Sequence, residues 1–286
     1  MLYLIVSVLC SVSVGVLLKH WGSRGLDAGQ LVTWNYLAAS SLAWAVLQPS
    51  TAVLSAPSTP WLLLLALGVA LPSVFLLMAR SLARAGIVRT DAAQRLSLLI
   101  SLAAAFWLFG EAGNGWKLAG LGAGLVAIVC LLTRPPAAAR PTAGRAWPWL
   151  LATWAGYGAI DIALKQVASS GTATTAALGV SFALAFVLML GIQLLRQWRG
   201  RTRLDGRHLA AGLLLGGLNF ANILTYIRAH QAMSDSPATV FAGMNIGVVA
   251  LGTLAGACLF GERTSRVNQA GLLLAIAAIA LIARGS

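Results

Sequence analysis

Ten apolar runs, most of them close to 20 residues long, determine what this chain can fold into. An α-helix needs about 20 apolar residues to cross the hydrocarbon core of a bilayer. The runs lack the alternation of apolar and polar residues that characterises strands of a membrane β-barrel. The sequence therefore predicts an all-α polytopic membrane protein. The ten predicted transmembrane helices are 2–19, 28–47, 61–81, 91–110, 115–133, 147–166, 173–195, 208–229, 236–260 and 266–283.

Composition supports lipid as the solvent of this chain. Hydrophobic residues make up 59% of the 286 residues and charged residues only 9%, whereas a soluble domain carries about 25% charged residues. The formal net charge is +13, which in a soluble protein would suggest nucleic acid as the partner. Here the arginines lie between the apolar runs and act as a topology signal, so we predict no nucleic-acid partner.

Two related halves are predicted from repeated sequence. The triplet Phe-Gly-Glu at 109–111 returns at 260–262, and Ala-Gly-Leu at 119–121 returns at 270–272, at the same displacement. The Pro/Ala/Arg-rich stretch 135–146 then links a first five-helix repeat, 1–134, to a second, 147–286. Because five is an odd number, the second repeat enters the membrane inverted. Inverted repeats place a binding site near the midplane, at their interface.

Lysine and arginine predict the orientation. With ten spans, one side of the membrane collects sixteen of these residues and the side that carries both termini collects four. Since positively charged loops stay in the cytoplasm, we predict periplasmic termini in a bacterial inner membrane. Glycines four residues apart, such as Gly212 and Gly216, predict close helix packing within the bundle rather than dimerisation.

Signatures of catalysis are absent from the sequence. It has no zinc-type histidine pair, no nucleophile elbow and no phosphate-binding glycine loop. We therefore predict that the chain is not an enzyme and uses no metal or cofactor. Glu111 and Glu262, which close the two repeated triplets, are predicted to serve the turns before the fifth and tenth helices, where a carboxylate favours a following helix N-terminus.

Polar residues within the spans are the candidate site, because they are costly in hydrocarbon. Asn219, Asn222 and Tyr226 share one face of the eighth span, and serve either to bond helices together or to line a substrate cavity. Gln94 and Asn245 occupy equivalent places in the two halves. The remaining candidates for substrate binding are Arg95, which follows Gln94, the Asn35–Tyr36 pair of the second span, and Tyr157 of the sixth.

Asp161 is the carboxylate predicted to lie well inside a span. Tyr157, Asp161 and Lys165 follow one another at intervals of four and share a helical face. One interpretation is an ion pair between Asp161 and Lys165. The other is a protonatable carboxylate on the transport pathway, which would couple transport to protons.

These features resemble the ten-helix, EamA-like branch of the drug/metabolite transporter superfamily. The resemblance rests on the two five-helix halves, the twin Phe-Gly-Glu triplets, and Gly120 and Gly271 in the helices that follow them. It implies a central cavity built from helices 1–4 and 6–9, peripheral helices 5 and 10, and transport of small metabolites, often efflux of amino acids or related compounds. Relatives are usually drawn with cytoplasmic termini, whereas the arginines here predict the reverse.

The sequence thus predicts a transporter of a small polar or amphipathic metabolite that works by alternating access, as a monomer or homodimer. Two alternatives stay open. A flippase for a lipid-linked headgroup would use Arg80, Arg84 or Arg95 against phosphate. A membrane scaffold that transports nothing would be a sealed bundle without a central cavity.

Overall fold

The computed structural model describes residues 1–50, 56, 59–107, 114–132, 146–233, 235 and 237–285, and this part of the chain forms helices and no β-strand. The triplet 109–111 and residues 135–145 of the predicted linker lie outside the described residues. The helices are α1 (Leu2–Ser23), α2 (Ala28–Leu42), α3 (Trp61–Ala85), α4 (Ile87–Arg95), α5 (Leu98–Trp107), α6 (Gly115–Leu132), α7 (Trp147–Ser169), α8 (Thr174–Trp198), α9 (Gly206–Ala232), α10 (Pro237–Phe260) and α11 (Arg266–Gly285).

Seven of these helices are long and apolar enough to cross a membrane: α1, α3, α6, α8, α9, α10 and α11. The all-helical fold and its membrane-length helices are therefore confirmed. Two of the other predicted spans, the second and the sixth, do not meet this criterion of length and hydropathy. The α-helical part of α2 has only 15 residues, because the chain continues as a π-helical turn, Ala43–Leu47. Helix α7 is long enough but carries Asp161 and Lys165, which lower its mean hydropathy.

The predicted fourth span, 91–110, was wrong as one continuous helix. Helix α4 begins earlier, after Gly86 at φ +86°, and the chain breaks before α5 starts at Leu98. At the break, the Leu96 carbonyl accepts a hydrogen bond of 2.9 Å from Trp154 Nε1 of α7. Irregular backbone at membrane depth persists where protein groups supply its hydrogen bonds. The indole of Trp154 therefore helps to hold the two half-helices in place.

The principal contacts join the first half of the chain to the second. Helix α6 packs along α11, α2 packs on both α8 and α9, and α3 packs on both α7 and α8. Glycines allow the closest of these approaches. A Cβ at Gly212 would overlap Trp34, a Cβ at Gly216 would overlap the Asn35 carbonyl oxygen, and one at Gly120 would lie 2.6 Å from Ile282. The prediction that these glycines serve packing within the bundle is confirmed.

Glu262 ties three segments together at the end of the bundle where α1, α3, α8 and α10 finish, called here the basic end. Its carboxylate pairs with Lys19 of α1. It also accepts backbone hydrogen bonds from Ile87, at 2.7 Å, and Val88, at 3.1 Å, at the N-terminus of α4. A negative charge is favourable at a helix N-terminus. Glu262 therefore has the predicted structural role, but on α4 of the first half instead of α11.

A second set of polar contacts at the basic end joins α2 to α8. Both carboxylate oxygens of Asp27 accept hydrogen bonds from Arg196, at 2.8 and 3.0 Å, and Asp27 also caps α2 through the Gln30 N–H at 3.0 Å. Burial alone would raise the pKa of Asp27, but the Arg196 and Gln30 donors hold this pKa below its ordinary value. The stabilisation is thus complete above the ordinary aspartate pKa, and is lost as pH falls through the lower folded value.

Candidate functional site

A cavity of about 840 Å³ lies between the two halves of the chain. Helices α2, α3, α4, α5, α7, α8, α9 and α10 contribute to its wall, and no described residue of α1, α6 or α11 does. Small-molecule sites typically have volumes of about 300–1,000 Å³, with mostly apolar walls and a few placed polar groups. The size and composition of this cavity therefore suit a small organic molecule.

The cavity collects most of the residues that the sequence singled out. Asn35 and Lys165 are exceptions and, among the described residues, do not belong to its wall. Asn35 is fully buried on the side of α2 that packs against Gly216 of α9, whereas its neighbour Tyr36 reaches the cavity. The predicted site residues on the wall are Tyr36, Gln94, Arg95, Tyr157, Asp161, Asn219, Asn222, Tyr226 and Asn245.

The polar face of α9 both lines the cavity and bonds to neighbouring helices. The Asn219 amide nitrogen donates to Asn35 Oδ1 across a long 3.4 Å, and Ser7 Oγ of α1 donates to Asn222 Oδ1 at 2.8 Å. One turn further along, Tyr226 packs edge-on against His230, with 4.7 Å between the ring centroids. The two predicted roles of this face, bonding helices and lining a cavity, thus occur together.

We expect Asn219→Ala and Asn222→Ala to weaken substrate binding while leaving the fold nearly intact. Hydrogen bonds between membrane helices average about 0.6 kcal/mol, so the loss of stability should be small. Ser7→Ala is the matched control, because it removes the partner of Asn222 and leaves the cavity wall unchanged. Transport and melting temperature measured on all three variants will separate the roles. If both asparagine variants transport normally, these amides only bond helices.

Arg95 brings a positive charge to the cavity at the break between α4 and α5. Its Nη2 donates to Ser11 Oγ of α1 at 2.6 Å, while no described residue accepts a hydrogen bond from its buried Nε. Its guanidinium also interacts electrostatically with two carboxylates, Asp91 of α4 and Asp161 of α7. Arg95 therefore places a positive charge on the cavity wall, where an anionic group of a ligand could pair with it.

Asp161 of α7 supplies a negative charge to the same wall. One of its oxygens accepts hydrogen bonds from Ser101, at 3.2 Å, and from Ser97, at 3.4 Å, across the interface with the first half. Lys165 lies one turn further along α7. Asp161 is therefore bonded to the broken helix of the other half, so that any movement between the halves would change its surroundings.

Sequence reasoning missed several wall residues. Phe75 and Phe182 stack around Tyr36, with centroids 6.3 and 5.8 Å from its ring, but in an apolar run they look like any lipid-facing residue. Ser97 was detectable, because the polar stretch from Gln94 to Ser97 is unusual inside a span. A second buried carboxylate, Asp91, was also missed. It is only 5% exposed, whereas the sequence had singled out Asp161 alone as a carboxylate inside a span.

The cavity extends away from the basic end. Thr174 and Thr175 at the start of α8, and His230 and Gln231 near the end of α9, belong to its wall. In contrast, no described residue from the first two turns of α2 or α9 lines it. The end of the bundle that carries both chain termini, called here the terminal end, is therefore the one toward which the cavity is directed.

Comparison with known proteins identifies one extended likeness. No protein-family model matches the chain. The chain is 41% identical over 281 residues to an uncharacterized protein of Haemophilus influenzae, and the match covers 96% of this chain and 95% of that protein. The likeness thus extends over both halves and includes the helices that form the cavity.

Proposed function

We propose that this chain, which belongs to the same family as the Haemophilus influenzae protein, is a membrane transporter for a small polar or amphipathic metabolite. The observation that carries the proposal is the cavity of about 840 Å³ between the halves, with Arg95 and Asp161 on its wall. Charged side chains at membrane depth are costly and are retained for function. We further propose membership of the drug/metabolite transporter superfamily, with ten spans in two inverted repeats.

Helix packing supports the inverted repeat. If α7, α8 and α9 are the counterparts of α1, α2 and α3, and α10 is the counterpart of α4 and α5 together, then contacts should occur in exchanged pairs. The α1–α9 contact is matched by α3–α7, and the α2–α9 contact by α3–α8. Likewise, α1–α10 is matched by the contacts of α4 and α5 with α7. A pseudo-two-fold axis between the halves explains these pairs together.

The orientation follows from the arginine and lysine bias, so we expect a reporter fused after Ser286 to report a periplasmic C-terminus. Positively charged loops resist translocation, and the cluster from Arg196 to Arg207 would have to be translocated in the opposite orientation. Paired phosphatase and fluorescent-protein fusions measure this, since each is active on one side only. A fluorescent C-terminus without phosphatase activity would reverse the assignment.

The charges of the cavity favour a zwitterionic, amino-acid-like substrate. The positive charge of Arg95 suits a carboxylate, and the Asp161 carboxylate suits an ammonium group. The rings of Tyr36, Phe75 and Phe182 offer an apolar surface for a side chain. A proton that replaces the ammonium group on Asp161 would release the substrate. With the cavity directed toward the periplasm, that exchange corresponds to proton-driven efflux.

Binding by the purified protein tests this function. A ligand that binds only the folded state raises the melting temperature, so a screen of metabolite mixtures should identify stabilising compounds. We expect Arg95→Gln to lower affinity for an active carboxylate compound by about tenfold or more, because a charge-assisted hydrogen bond is worth about 1.5–3 kcal/mol. Arg80→Gln is the control, since Arg80 stacks on Trp149 outside the cavity wall. Equal affinities for the two variants would refute the assigned role of Arg95.

The structure gives the two alternatives less support. A flippase would present several basic residues around a headgroup, but of the three arginines considered only Arg95 lies on the cavity wall. Arg80 and Arg84 both contact the Trp149 ring, 5.2 and 5.1 Å from its centroid, away from the cavity. A scaffold would be sealed, whereas this bundle encloses space for a ligand. The transporter accounts for more of these observations.

A further inference from the structure

Asp91 lies in a recess that two glycines make for it. It belongs to α4, one turn beyond the N-terminus that Glu262 caps. A Cβ at Gly252 of α10 would overlap the Asp91 Oδ2 atom, and a Cβ at Gly15 of α1 would stand 3.7 Å from Oδ1. Asp91 does not belong to the cavity wall, which begins one turn further along α4 at Gln94 and Arg95. The recess is therefore a place separate from the substrate cavity.

The Asp91 carboxylate is buried without a full set of partners. Its side chain is 5% exposed, and no described residue donates a hydrogen bond to Oδ2. An ionised carboxylate in such surroundings would be strongly unfavourable unless it were paired. A protonated carboxyl group fits the recess better, because it is neutral and needs fewer donors.

Charged groups lie on both sides of Asp91, toward the cavity and toward the basic end. On α4 itself, Arg95 interacts with Asp91 electrostatically but is hydrogen-bonded to Ser11. From α7, Asp161 and Tyr157 face the same arginine. On the other side of Asp91 lies Glu262, which is paired with Lys19 of α1.

Among the described residues, the helices packed on α4, which are α1, α3, α6, α7, α10 and α11, bring no further charge that acts on Asp91. Helix α10 presents Gly252, and Ser81 of α3 bonds to Thr90 at 2.8 Å. The other arginine of α4, Arg89, points toward α6 and donates to the Leu131 carbonyl at 2.7 Å. Arg95 and Glu262 are thus the charges that determine how Asp91 binds a proton.

We propose that Asp91 is a second proton-binding site, which passes protons between the cavity and the basic end. The proposal rests on the proposed function, in which Asp161 exchanges a proton for substrate inside the cavity. In the described state, the Glu262 junction separates Asp91 from the basic end, and Asp91 holds its proton. When α1 and α10 move away from α4, the junction opens and the proton leaves Asp91 toward the basic end. Ionised Asp91 then takes up the proton that Asp161 gives up to bind substrate, while Arg95 stays protonated throughout and pairs with whichever carboxylate is ionised.

Infrared difference spectroscopy tests the site without any substrate. Spectra of the purified protein in lipid nanodiscs, recorded between acidic and alkaline buffer, should show the C=O band of a protonated carboxyl group that disappears as pH rises. We expect Asp91→Asn, which keeps the shape of the side chain, to remove one component of this band and Asp161→Asn to remove another. An unchanged band in Asp91→Asn would overturn the proposal.

A second variant keeps the test valid if Asp91→Asn fails to fold. Gly252→Ala places a methyl group where Oδ2 now lies, so the carboxyl group must leave its recess. We expect the Asp91 component to shift in frequency instead of disappearing. No shift in Gly252→Ala would show that the recess does not hold the proton.

Transport assays separate this proposal from the function on which it depends. We expect Asp91→Asn to bind substrate with the same pH dependence as the unmodified protein and to lose accumulation driven by a pH gradient. Retained gradient-driven accumulation would overturn the role of Asp91 in proton passage. If the unmodified protein carries no amino-acid-like compound at all, the proposed function fails instead, and the infrared result still decides whether Asp91 binds a proton.

Discussion

Asp161→Asn is expected to abolish the response of transport to a pH gradient while retaining gradient-independent exchange of substrate, at a lower affinity because the variant lacks the negative charge that pairs with the ammonium group. In the proposed cycle, a proton and the substrate ammonium group compete for Asp161, which lies on the cavity wall and is bonded to Ser97 and Ser101. An asparagine has nearly the same shape and cannot ionise. For an exchange of one proton per substrate, a gradient of one pH unit drives accumulation of about tenfold, and this factor should fall to one.

Proteoliposomes with an imposed pH gradient measure the effect directly. Ser101→Ala is the matched control, because it removes a hydrogen bond to Asp161 and leaves the carboxylate in place. It should change the rate and retain the accumulation. Should the Asp161→Asn protein still concentrate substrate up the gradient, Asp161 is not the coupling group, and its role is confined to binding.

Gly216→Val is expected to prevent stable folding, whereas Gly217→Val should be tolerated. The two positions are adjacent on α9 and differ in what a side chain would meet. At Gly216, a Cβ would overlap the Asn35 carbonyl oxygen and lie 2.7 Å from Ala38 Cβ, whereas at Gly217 no atom of another described helix lies within 4 Å. Because the obstacle is backbone of α2, it cannot turn aside. Overpacking costs about 1–3 kcal/mol and occasionally more, and because backbone is the obstacle we expect Gly216→Val to lie at the upper end.

Thermal unfolding in detergent, followed by size-exclusion chromatography, distinguishes the two valine variants. Gly217→Val also controls for the change in helix propensity from glycine to valine, which both variants share. Equal melting temperatures would mean that α2 and α9 are not in the close contact described. Since this contact lies directly behind the cavity, a milder Gly216→Ala variant should also lower substrate affinity by displacing Tyr36.

Sequence reasoning succeeded where periodicity and burial cost act within one helix. Asn219, Asn222 and Tyr226 reach one cavity because they repeat at helical spacing, and the sequence shows that spacing directly. Sequence reasoning failed for Phe75 and Phe182, because apolar side chains are favourable both in lipid and in a ligand cavity. The sequence therefore does not distinguish a lipid-facing phenylalanine from one that lines the cavity. The break between α4 and α5 depends on Trp154, whose contribution comes from another helix and cannot be inferred locally.

The contacts of Glu262 at the basic end also could not be predicted from the sequence. Its favourable place before a helix N-terminus was predictable, but the sequence could not tell which helix would receive it. The carboxylate meets Lys19, Ile87 and Val88, residues about 175 or more positions away in the chain. Only the tertiary fold brings them together.

The broken fourth span has a mechanical consequence. Helix α4 belongs to the first half by sequence, yet it is capped by Glu262 and packs on α7, α10 and α11 of the second. In the opposite exchange, α10 packs along α1. Helices α4 and α10 thus each pack mainly on the half of the chain to which they do not belong. If the proposed transport cycle operates, the unit that tilts combines helices from both halves, so we expect a chain cut between residues 134 and 146 to function only with both fragments folded around each other.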